Sequence, residues 1–93
     1  MKIETIEKKI VELRKIMAVD DEILKKYDRL LKTTKAFMDE EYRLRLMNAK
    51  SEVVGKWLNH HHKVEHYQIM IELKRRLEEM RLARKARQVM ISA

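Results

Sequence analysis

Cysteine and proline are absent from the 93 residues, glycine occurs once, and aromatic side chains make up only 5% of the chain. Without cysteine there can be no disulfide framework, no thiolate zinc site and no cysteine nucleophile, so any fold must hold by packing alone. Proline and glycine punctuate strands and tight turns, and their scarcity argues for a few long helices joined by short polar turns. Long hydrophobic runs are missing too: no apolar stretch exceeds four residues, and the opening MKIETIEKK carries charges where a secretory leader needs an apolar core. The expectation is a soluble, cytoplasmic protein with no membrane partner.

What is present is charge and helical periodicity. Charged residues are 40% of the chain and hydrophobic ones 45%. The apolar residues recur at spacings of three and four, which places them on one helical face and distinguishes the chain from a disordered one. A chain this short buries only about 60% of the surface its unfolded form exposes, so its core is thin and a second copy would help to stabilise it.

Ile3, Ile6, Ile10, Leu13 and Met17 alternate in spacing and predict a first helix over about residues 2–17. Asp20, Asp21 and Glu22 offer a side-chain cap and negative charge suited to a helix N-terminus, and predict a second helix over 21–38. Its face is wide, with Ile23, Tyr27, Leu30, Thr34 and Phe37 in one line and Leu24, Leu31 and Met38 in the next. Asp39, Glu40 and Glu41 repeat the start signal. Tyr42, Leu46, Ala49, Val53, Trp57, His60, Val64, Tyr67 and Ile71 then predict a third helix over 40–88, with Asn48, Ser51 and Gly55 as candidate break points. The stripe shifts phase at Met70, Leu73, Leu77 and Met80, as happens where a helix changes partner. The expected architecture is a single all-α domain: a short antiparallel helical hairpin followed by one long helix, partly coiled-coil-like, assembled as a homodimer.

Charge is distributed unevenly. The chain carries 22 Lys+Arg against 15 Asp+Glu, a formal net charge of +7, and no acidic residue follows Met80. Within KRRLEEMRLARKARQ, Arg81, Arg84, Lys85 and Arg87 are linked by spacings of three and four, and Lys74 and Arg75 extend the patch upstream. Such a cluster can reach several phosphates at once. The plainer reading is a solvated helix end whose cations favour the negative pole of the macrodipole, with Arg76–Glu79 and Glu78–Arg81 pairs diluting the patch. No zinc finger, RNP motif or compact helix-turn-helix signature accompanies it. The expectation is therefore electrostatic, non-specific nucleic-acid contact through Lys74, Arg75, Arg81, Arg84, Lys85 and Arg87.

Other features carry less chemistry. His62 and His66 are spaced as two metal ligands on one helical face, but two ligands do not make a site and Lys63 stands where a HExxH motif would place Glu, so no metal is expected. Among the consecutive histidines, His60 is expected in the core stripe, with His61 and His62 outward. Trp57 and the three tyrosines read as core, and Gly55 as a point of close helix approach or a kink. Ser51 and Ser92 lack an acid/base pattern and there is no Gly-rich phosphate loop, so neither enzymatic activity nor a cofactor is expected. The alternative function is a regulator or inhibitor that binds a partner protein through Met70, Leu73, Leu77 and Met80, which the seven methionines favour modestly.

Overall fold

The structure, a computed structural model, describes residues 1–92 and the surroundings of side chains as far as Met90. It is all-α: α1 spans Ile3–Leu31, α2 Thr34–Met38 and α3 Glu40–Ser92. No helix among the described residues is long and apolar enough to cross a membrane.

The second helix does not begin at Asp20. The alternation Ile3, Ile6, Ile10, Leu13, Met17 continues without a break through Asp20, Leu24, Tyr27 and Leu31, so α1 runs through the acidic cluster as one 29-residue helix. Glu22 there engages Lys25 within the same helix (3.3 Å) instead of capping a new one. The chain turns eleven residues later, where Lys32 closes α1 and Thr33 adopts an extended backbone. The Thr33 hydroxyl donates to the Leu30 carbonyl at 2.6 Å and accepts from the Ala36 N–H at 3.4 Å, the local side-chain bonding that makes threonine a helix terminator. What was expected as one helix over 21–38 is thus the end of α1, a turn and the five-residue α2. Ala36 is its only buried residue, and Phe37 and Met38 stand in solvent.

The start signal at Asp39 does operate: the Tyr42 N–H donates to its carboxylate at 3.0 Å, and Glu40 and Glu41 occupy the first turn. From there α3 is continuous for 53 residues, four residues beyond the expected end, and Asn48, Ser51 and Gly55 break nothing. Gly55 makes no close approach either; a Cβ placed on it would meet no atom within 4 Å.

α1 lies antiparallel along α3, the short α2 making the turn between them. Glu7 meets Arg75 at 3.2 Å, Asp20 meets His60 at 3.6 Å and Asp28 meets Lys50 at 2.6 Å, so positions rise on one helix as they fall on the other. The hairpin is therefore formed by the first and last helices, not by two short helices ahead of a long one. Its seam holds Ile6, Ile10, Val64 and Ile71, with Ile3, Leu13, Met17, Tyr67 and Met70 packed around them. Ile6 is fully shielded from solvent.

The register leaves α3 longer than its partner. Ile3 lies one turn beyond Glu7, so α1 ends near residue 79 of α3, and residues 79–92 project alone for roughly 20 Å. The molecule measures 82 × 17 × 17 Å with a radius of gyration of 22.9 Å. A compact chain of this length would have a radius near 12 Å.

Candidate nucleic-acid interface

All six cations picked out from the sequence lie on the second half of α3, and the projecting end displays Arg81, Arg84, Lys85 and Arg87 in solvent. They do not form a single row. At about 100° per residue, Lys74, Arg81 and Lys85 fall close to one line, whereas Arg84 and Arg87 turn toward the face that carries Leu73 and Met80. Arg75 sits apart, bonded across the hairpin to Glu7. Lys74, the most shielded of the six, is half-buried at the seam.

Ion pairing is lighter than the acidic residues would allow. Glu78 accepts from Arg81 at 2.6 Å, and this hydrogen bond, with the Glu78 charge, raises the Arg81 pKa further above the ordinary guanidinium value. Arg76 forms an ion pair with Glu72 at 2.7 Å, one turn toward the N-terminus, and not with Glu79 as the spacing suggests. Arg84, Lys85 and Arg87 have no carboxylate within 4 Å among the described residues. The Arg81–Glu78 pair is exposed on both sides, so a phosphate can displace the carboxylate at little cost. Alanines at 83 and 86 keep the surface between these cations low.

The histidines divide largely as their helical angles predict. His60 faces α1, His62 and His66 are exposed, and His61 is half-buried, stacked on Trp57 with ring centroids 5.0 Å apart and with its Nε2 2.8 Å from the Glu65 carboxylate. Among the described residues no three His, Cys, Asp or Glu side chains are placed to hold a metal ion.

One feature of the seam was missed by sequence reasoning. Asp20, read there as a helix cap, occupies an inward position between Met17 and Leu24, with its carboxylate mostly buried beside His60. Asp20 Oδ2, His60 Nδ1 and Trp57 Nε1 are buried without a hydrogen-bond partner. The unbroken three-and-four alternation on both sides of Asp20 was the signal that could have placed it in the seam.

The chain matches no protein-family model, no curated protein and no solved structure.

Proposed function

We propose that the protein binds nucleic acid non-specifically, through phosphate contacts made by Lys74, Arg75, Arg81, Arg84, Lys85 and Arg87, as a small intracellular accessory protein that works as a homo-oligomer. One observation carries the reading: the end of α3 projects beyond the hairpin with Arg84, Lys85 and Arg87 exposed and unengaged by carboxylates among the described residues. A bare helix about 10 Å across, with cations on more than one of its lines, can lie along a phosphate backbone without reading base edges. The mechanism is counterion release, each neutralised phosphate contributing roughly 0.9 to the slope of log affinity against log salt on duplex DNA.

The test is a fluorescence-anisotropy titration of labelled single- and double-stranded DNA and RNA at two salt concentrations. Binding that weakens steeply with salt is expected, and its absence at low salt, where electrostatics are strongest, would refute the reading. Replacing Arg81, Arg84, Lys85 and Arg87 together with glutamine should lower the duplex slope by about three to four while leaving helicity by circular dichroism unchanged.

A second reading, a regulator that binds another protein through the long helix, is favoured by the exposure of Leu73, Leu77 and Met80 at 54%, 65% and 56%. Pull-down with and without these side chains separates it from the first.

A further inference from the structure

Four exposed apolar residues of α3 form a second stripe on the side of the helix turned away from α1. Ile69, Leu73, Leu77 and Met80 follow one another at spacings of four, four and three, and all are exposed. His62 and His66 continue the line upstream. The shift in apolar phase at Met70–Met80 is therefore a change of partner face: Ile71 and Met70 serve α1, whereas Leu73, Leu77 and Met80 serve nothing within the chain.

We infer that this stripe is the contact between two copies of the chain, whose long helices run parallel and in register, and that it brings the two basic ends side by side. The inference goes beyond nucleic-acid binding and does not depend on it. Surface area is the first argument for a second copy. The chain exposes 7908 Å², about 2,200 Å² more than a typical monomeric protein of its 11.3 kDa mass. Stable homodimers commonly bury about 1,000–2,500 Å² on each subunit, so the excess is of the size that one such contact covers.

Charge sets the orientation. One flank of the stripe carries Glu65, Glu72 and Glu79 at seven-residue intervals, and Arg76 on that flank is engaged by Glu72. The other flank carries Lys63, Lys74 and Arg81, of which Arg81 is paired with Glu78. When two identical helices pack parallel about a two-fold axis, the left flank of one meets the right flank of the other, so the glutamate row faces the basic row of the second copy. Antiparallel packing brings like flanks together, glutamates against glutamates. The residues beyond α1 also gain a neighbour in the parallel pair, each projecting helix lying against the other.

The absence of cysteine makes the arrangement directly measurable. Leu73→Cys and Met80→Cys, prepared separately, each introduce the only thiol of the chain. In a parallel, in-register pair both positions meet their own counterparts, so both variants should oxidise to covalent dimers, while Lys25→Cys, on the outer face of α1, should not. Crosslinking at Leu73→Cys without crosslinking at Met80→Cys would indicate antiparallel packing and overturn the inference. So would a monomeric mass by light scattering at tens of micromolar for the unmodified chain, including the case in which the monomer takes a different protein on this stripe. Leu73→Glu with Leu77→Glu should weaken self-association by about 100-fold or more. Light scattering without nucleic acid reads pairing, and anisotropy at low salt reads nucleic-acid binding, so a failure of one is distinguished from a failure of the other.

Discussion

Asp20 occupies a position that the alternation of Met17, Leu24, Tyr27 and Leu31 reserves for an apolar side chain, and it faces His60 there. A buried polar atom without a partner costs about 1–3 kcal/mol, and buried charge pairs replaced by well-packed apolar groups often leave a protein as stable or more so. Asp20→Leu combined with His60→Leu should therefore leave the protein as stable as the parent or more so. His60→Leu alone, which leaves the Asp20 carboxylate in the seam without the imidazole beside it, should lower stability. Thermal unfolding followed by circular dichroism at fixed protein concentration checks both signs, and a double variant less stable than the parent would show that the pair holds the hairpin together. Ile6→Ala provides the scale for the same measurement, since removing so fully shielded a side chain costs about 2–5 kcal/mol.

Among the elements, two acidic clusters with the same outward signature behave differently. Asp39 caps α3 because the apolar line stops at Leu31 and resumes at Tyr42 in a new direction, leaving free N–H groups to satisfy. Asp20–Glu22 cap nothing because the line runs through them at unchanged spacing. The all-α class and the inward face of α3 were legible in the sequence, since Leu46, Val64 and Ile71 of the predicted stripe are buried. The position of the turn was not, because threonine side-chain bonding at Thr33 is a weaker mark than three carboxylates in a row. Asp39→Ala should cost about 1 kcal/mol through the lost cap. Gly55, with open space where a Cβ would stand, lies in the interior of a continuous helix. Gly55→Ala should stabilise the protein by about 0.5–1 kcal/mol, and a loss of stability would mean that a second copy approaches the helix there.

At the scale of the molecule, an 82 Å rod with one end held by two helices and the other by one separates packing from display. The composition of the basic end was plain in the sequence. Its projection was not, because that depends on where α1 begins relative to α3, which only the antiparallel register sets. In the proposed pair two such ends repel each other, and a polyanion spanning both would relieve the repulsion. Nucleic acid and self-association are then thermodynamically linked: if a duplex binds the pair more tightly than the single chain by some factor, it must strengthen pairing by the same factor. A short duplex should accordingly shift the monomer–dimer equilibrium toward the dimer, measurable by sedimentation with a labelled protein. That shift should fade as rising salt supplies the screening that the polyanion otherwise provides.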